Sequence, residues 1–184
     1  MSQYKKPEIL KKKLLTNFLF KQANSFSLDF LAQCPGPPIC DQCAVSCFLA
    51  GTKVIMENRG PKNIEDVRIG DKVMSYNRRQ KKTVPSIVKA ITHEVENVYI
   101  SIDDIVCVTP HHRFWISNVG WIEARNLRKG MKIQTVSNIN HSIVSLKTFS
   151  KKVEVFNLSL FGTHKNYFAN SLLVHNTKCC DVAC

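Results

Sequence analysis

The sequence predicts an all-β fold from residue 47 to residue 176, preceded by a helical N-terminal leader. Three observations carry that reading. Beyond Cys47 the chain breaks into short runs rich in β-branched and aromatic residues, each bounded by turn residues. Helical periodicity is confined to the stretch from Pro7 to about Leu31. One stretch of the β region is also echoed by a second, which suggests duplicated halves related by a pseudo-twofold.

The bulk composition agrees. In 184 residues, 44% hydrophobic and 9% aromatic side chains are enough to bury a core. Apolar runs such as Ile105-Val106-Cys107-Val108 stop far short of the roughly 18 residues a membrane helix needs, so no membrane span is expected. The net charge is +12, of which +9 lies between residues 47 and 176. Such an excess can attract nucleic acid. Its Lys and Arg are scattered, however, with Arg78-Arg79 and Lys81-Lys82 clustered only in a turn. A solvated basic surface on a monomer is therefore expected, and nucleic-acid binding is not.

Residues 1–33 read as a basic leader: Leu10, Leu14, Leu15, Phe18 and Leu19 recur at helical spacing with Lys11-Lys12-Lys13 among them. The run imitates a signal peptide, but Thr16 and Asn17 interrupt it and no small-residue cleavage site follows. This favours the cytoplasm over secretion, and both placements stay open. Residues 34–46 form a linker in which Cys34-Pro35-Gly36-Pro37-Pro38 fixes backbone angles and removes amide donors.

Nine strands follow: Lys53 to Met56, Lys72 to Tyr76, Ser86 to Thr92, Asn97 to Ile102, Ile105 to Thr109, Arg113 to Ser117, Met131 to Val136, Val153 to Leu160 and Asn166 to Ala169. Ile64 to Val73 is echoed by Ile122 to Ile133 if two residues are inserted. Trp115 and Trp121 read as hairpin core, His93 and His141 as surface residues, and Cys107 as a small buried hydrophobe on a strand. Residues 177–184 form a Cys-rich tail. Cys34, Cys40 and Cys43 before the β unit, with Cys179, Cys180 and Cys184 after it, would suit a metal site or three disulfides. Cys40-x-x-Cys43 lacks the paired second half of a zinc ribbon, so the choice stays open.

Cys47 and the pair His175-Asn176 bracket the β unit at its two ends. Four blocks accompany them: Cys47 through Val54, Thr109-x-x-His112, Val153 through Asn170, and Leu172 through Thr177. In combination they resemble the Hint domain shared by inteins, bacterial intein-like domains and hedgehog-type autoprocessing domains, over residues 47–176. The resemblance implies a Hint horseshoe that needs no cofactor and acts on its own flanking segments. Asn176 sets the chain apart from hedgehog-type domains, which lack a terminal Asn and pass their thioester to a sterol.

The chemistry is sound on its own terms. Cys47 can attack the carbonyl of Ser46, an N-to-S acyl shift through a five-membered ring between groups already tethered. The resemblance assigns protonation of the leaving nitrogen to His112 rather than to His111, and a hydrogen bond on the scissile peptide to Thr109. Asn176 can close a succinimide on its own backbone carbonyl and sever the bond to Thr177, with His175 polarising that carbonyl and His164 assisting. The Thr177 hydroxyl can attack the Ser46 thioester and so ligate the flanks. Bound zinc would inhibit a site that contains Cys47 and several histidines.

Two features depart from the splicing members. Many carry an Asp where this chain has Asn157, and an amide cannot relay a proton. A hydroxyl is also a poorer nucleophile than a thiol, so hydrolysis competes with ligation. Ligation would bring six cysteines within 21 residues of a 54-residue product, as a zinc-bound or disulfide-linked module or as an incidental cluster. The alternative function is an inactive Hint fold that serves as a basic, Cys-rich binding module for nucleic acid or protein.

Overall fold

The computed structural model describes residues 46–58 and 60–176. The leader, the linker up to residue 45, the Cys-rich tail with Thr177, and the helix, zinc and disulfide expectations attached to them lie outside the described residues.

Among the described residues the only helices are two 3₁₀ turns, Ile64–Asp66 and Ala124–Asn126, and the fold is all-β. The strands are β1 (Phe48–Leu49), β2 (Lys53–Ile55), β3 (Pro61–Asn63), β4 (Lys72–Asn77), β5 (Lys82–Ile102) and β6 (Val106–Val108). They continue with β7 (Arg113–Ile116), β8 (Gly120–Glu123), β9 (Lys132–Ile133), β10 (His141–Ser142), β11 (Leu146–Leu160), β12 (Asn166–Ala169) and β13 (Leu172–His175). One sheet runs β11-β1-β6-β5-β4, with β11 also paired to β5; the other runs β10-β9-β7-β13-β12-β2-β3, with β8 on β7.

Two runs read as separate strands, Ser86 to Thr92 and Asn97 to Ile102, are parts of the single 21-residue β5. The polar stretch between them stays extended because Glu94, Val95 and Glu96 pair with Val155, Glu154 and Val153 of β11. Strands β1, β3, β8, β10 and β13 are not among the nine read from the sequence, and β3 shows one reason. Pro61-Lys62-Asn63 has no β signature, and its pairing with β2 supplies the order that its composition lacks.

The duplication is real but needs no insertion: residues 47–73 match residues 107–133 at a constant offset of 60. Lys53 pairs with Asn63 as Arg113 pairs with Glu123. Ile64 N–H donates to the Thr52 carbonyl as Ala124 N–H donates to that of His112, both at 2.8 Å. Arg68 Nη1 donates to the carbonyls of Glu65 and Val67, and Arg128 Nη1 to those of Arg125 and Leu127. Ile64 therefore corresponds to Ala124 and not to Ile122, which sits on β8 opposite Phe114. Apolar side chains recur out of register with the repeat, whereas backbone hydrogen bonds define it.

The core is continuous between the sheets, with Phe48, Ile64, Ile102, Phe114, Leu158 and Tyr167 all fully buried. Asn170 and Ser171, both at positive φ, make a two-residue hairpin turn between β12 and β13. Asn170 Oδ1 also accepts the Lys53 N–H at 2.6 Å, which ties this turn to β2. Buried Asn166 clamps β4 to β12: its Oδ1 accepts the Tyr76 N–H at 2.7 Å and its Nδ2 donates to the Tyr76 carbonyl at 3.1 Å.

Gly70 and Gly130 occupy equivalent turns at φ of +89° and +84°, and an added Cβ would meet nothing within 4 Å at either. The cost of Gly70→Ala and of Gly130→Ala is then backbone strain alone, about 1 kcal/mol each. Urea unfolding of the two variants should give equal losses that add in the double variant.

Candidate active site

The start of β1 and the Thr109–His112 corner after β6 meet around the Ser46–Cys47 peptide. Cys47 is 1% exposed. Its N–H donates to Thr109 Oγ1 at 2.8 Å, and the Thr109 N–H donates to the Cys47 carbonyl at 2.9 Å. Ser46 Oγ donates to the His111 carbonyl at 3.3 Å, so the residue before the cysteine is also anchored to this corner. The His111 ring points away to Glu123, 3.7 Å distant, an acid that it shares with Arg113 and Arg125.

His112 is buried beneath this peptide, its ring 4.1 Å from that of Phe48 and 6.0 Å from that of Phe114. Neither of its nitrogens has a hydrogen-bond partner among the described residues. Burial pulls its pKa down to about 3; the Ser46 backbone carbonyl opposes this, and His175 adds to it. The Ser46 carbonyl is thus near enough to favour a proton on the ring without completing a hydrogen bond. His112 is a neutral imidazole at neutral pH, with one donor and one acceptor available.

The β1–β11 register ends at Phe48↔Phe156, and Cys47 and Asn157 are the next residues on the two segments. Asn157 is buried, and its Oδ1 accepts the Leu158 N–H at 2.8 Å and the Tyr167 phenol at 2.9 Å. Burial raises the phenol well above its usual pKa and the nearby Cys47 raises it further, so Tyr167 stays protonated.

At the other end, buried Asn176 follows β13 directly. With its amide turned to satisfy both neighbours, Nδ2 donates to the Lys165 carbonyl at 2.9 Å and Oδ1 accepts the Leu160 N–H at 3.0 Å. Its own N–H donates to the same Lys165 carbonyl at 3.1 Å. His175 lines a cleft of about 910 Å³ together with His164, Lys165, Trp121, Arg78 and Arg79. The His175 and Trp121 rings meet at 87° with centroids 4.7 Å apart.

Cys47, Thr109 and His112 therefore share one corner, Phe48 packs between His112 and the Tyr167 that bonds Asn157, and His175 lines the cleft that holds His164. Thr177 lies outside the described residues. Tyr167 was missed by the sequence reading, although a phenol in the middle of a buried strand needs a hydrogen-bond partner and so signals a polar neighbour. Trp115 and Trp121 do pair across the β7–β8 hairpin, but they are half-buried and extend from Arg78, 4.5 Å over Trp115, to His175. His141 is more than a surface residue: its Nε2 lies 2.7 Å from Asp103, whose carboxylate also accepts the Val144 and Ser145 N–H groups. His93 stacks on Phe156, centroids 4.4 Å apart. Cys107 is half-buried rather than buried. Among the described residues no three metal-ligating side chains converge, and no helix is long and apolar enough to cross a membrane.

The neutral state of His112 links folding to pH. The unfolded ring takes a proton near 6.5 and the folded ring near 3, so acid in that window favours the unfolded chain. Lowering the pH from 7 to 5 should cost about 2 kcal/mol through this residue. Urea denaturation at both pH values, with His112→Leu as the control that removes this part of the loss, measures it.

The comparisons with known proteins agree with this geometry. The family model described as the pretoxin HINT domain matches residues 54–177. No curated protein matches the chain. Among solved structures it is similar to the bacterial intein-like domain from Clostridium thermocellum, at 25% identity and a TM-score of 0.65 over 72% of this chain and 99% of that one. It is also similar to a DnaB intein from Synechocystis sp. PCC 6803, at 22% identity and 0.61 over 72% and 99%. A third is the TvoVMA intein, at 18% and 0.64 over 72% and 98%. With the bracketing Cys47 and His175-Asn176 and the duplicated all-β architecture, these matches establish that the chain belongs to the pretoxin Hint domain family and has the intein fold.

Proposed function

We propose that the chain cleaves itself at both boundaries of its Hint unit, with or without ligation, its own flanking segments being the substrate. Membership of the Hint family supports autoprocessing in general. The observation that carries the specific reading is the grip of Thr109 on both the N–H and the carbonyl of Cys47, beside a buried histidine whose ring nitrogens complete no hydrogen bond among the described residues.

At the upstream junction Cys47 Sγ bonds to the Ser46 carbonyl carbon as the carbon–nitrogen bond breaks, so an amide becomes a thioester and an amine. The thiol proton must end on the departing nitrogen. A neutral His112 suits that transfer, because one ring nitrogen can accept the proton while the other donates one. Thr109 Oγ1, already bonded to the Cys47 N–H, holds that nitrogen in place.

At the downstream junction Asn176 Nδ2 attacks its own backbone carbonyl, closes a succinimide and releases the Thr177 amine. The Lys165 carbonyl on the Nδ2 hydrogen supports this role, since a good acceptor there enriches the nitrogen. His175 polarises the carbonyl, and His164 assists from the same cleft. The Thr177 hydroxyl would join the flanks by attacking the Ser46 thioester, with hydrolysis as the competing outcome.

Intact-mass spectrometry of freshly expressed full-length chain, followed with and without added thiol, tests the reading. Fragments should break after Ser46 and after Asn176, the first abolished by Cys47→Ala and the second by Asn176→Ala. His112→Ala should slow the upstream break by about 10²-fold or more. A full-length mass that never changes would overturn self-processing and bring forward the binding-module reading.

A further inference from the structure

The turn between β4 and β5 has no part in the chemistry above, yet it forms one wall of the cleft of about 910 Å³ that holds His164 and His175. Arg78 and Arg79 line the cleft from this turn, Lys165 from the segment before β12, and Trp121 from β8; among the described residues no acidic side chain lines it. Both arginines are exposed, and neither forms an ion pair with a carboxylate among the described residues. Cations gathered in one concavity repel one another and focus a positive potential, an arrangement that costs stability until a counter-charge answers it.

The arrangement is held in place. Asn77 Oδ1 accepts the Arg79 and Gln80 N–H groups, each at 3.1 Å, and Asn77 Nδ2 donates to Gln80 Oε1 at 3.1 Å, which fixes the turn. Just before it, Tyr76 is clamped through its N–H and its carbonyl to buried Asn166, and Ser75 Oγ donates to the Asn166 carbonyl at 2.7 Å. The turn is thereby tied to the neighbour of Lys165. The Arg78 guanidinium lies 4.5 Å over the Trp115 ring. Stacking of this kind restrains a guanidinium and still leaves N–H donors for a second partner.

We propose that this cleft binds a compact phosphate-bearing polyanion of the di- or triphosphate class, gripped by Arg78, Arg79 and Lys165. Guanidinium groups match phosphate oxygens with paired donors, and an ammonium adds a point charge. The cleft volume falls within the range of small-ligand sites. A nucleic-acid strand needs cations along an extended track, whereas these are gathered at one turn and one lysine. The site stands on charge and shape and does not depend on self-cleavage.

Trp115 and Trp121 are the two tryptophans of the chain, so intrinsic fluorescence reads this region without a label. Full-length chain carrying Cys47→Ala and Asn176→Ala, which keep it in one piece, is titrated with sodium tripolyphosphate at constant ionic strength, by fluorescence and by calorimetry. Binding should be saturable and one-to-one, with a change in tryptophan emission. Arg79→Gln and Lys165→Gln should each weaken it about tenfold. Lys81→Gln and Lys82→Gln remove the same charge from the same hairpin outside the cleft lining, and each should change affinity less than about twofold. Asn77→Ala keeps every charge but loosens the turn, and should weaken binding about threefold. ATP, titrated in parallel, distinguishes the sources: equal affinity identifies phosphate groups alone as the ligand, tighter binding identifies a nucleotide, and both uphold the site. No saturable binding overturns the proposal, as does binding that leaves tryptophan emission unchanged or that Lys81→Gln weakens as much as Arg79→Gln. Tighter binding of a single-stranded oligonucleotide than of tripolyphosphate overturns it in favour of a nucleic-acid surface.

Discussion

Thr109 holds Cys47 through two hydrogen bonds, one from the Cys47 N–H to its hydroxyl and one from its own N–H to the Cys47 carbonyl. The rest of the architecture serves to keep that contact. Thr109 sits where β6 turns into the His112 corner, and β6 is held between β1 and β5 in the first sheet. Phe48, the residue after the cysteine, buries its ring against His112, Phe114 and Tyr167, so Cys47 cannot move without unpacking the centre of the core. A buried aromatic side chain at such a point contributes several kcal/mol, far more than a surface loop could supply to hold a reactive peptide.

The duplicated unit brings its two copies together at one corner. At the offset of 60 residues Cys47 corresponds to Cys107 and Thr52 to His112, and the backbone hydrogen bonds of Thr52 and His112 match. One copy provides Cys47 and the other the histidine beneath it. Burial keeps that histidine neutral, and His175 at the far junction pushes it further the same way. The two ends therefore share one electrostatic environment. A proton placed at His175 disfavours one at His112, a coupling that works because the core between them excludes water and screens charge poorly.

Much of the fold was legible from residue order. The β runs, the bracketing Cys47 and His175-Asn176, and the Thr109-x-x-His112 spacing are local patterns, and local patterns survive without knowledge of the partner strand. What was not legible depended on pairing. β5 runs unbroken through Glu94 and Glu96 because β11 pairs along it, and Pro61-Lys62-Asn63 is a strand because β2 lies beside it. The repeat was recognised, but its register was set two residues off, since apolar residues such as Ile122 recur on strands as readily as on turns.

The site divides in the same way. The residue types that can perform an acyl shift and an asparagine cyclisation follow from the sequence by itself, because they reflect the intrinsic reactivity of a thiol, an imidazole and an amide next to scissile bonds. The all-β class follows too, from composition and turn chemistry. Only the tertiary structure decided that His112 is buried and neutral, because desolvation is a property of surroundings and not of a side chain. It also decided that the Asn157 oxygen is held by Tyr167, ten residues further along the chain. That arrangement depends on two strands from different sheets meeting at one buried polar contact, a distance that no spacing along the chain encodes.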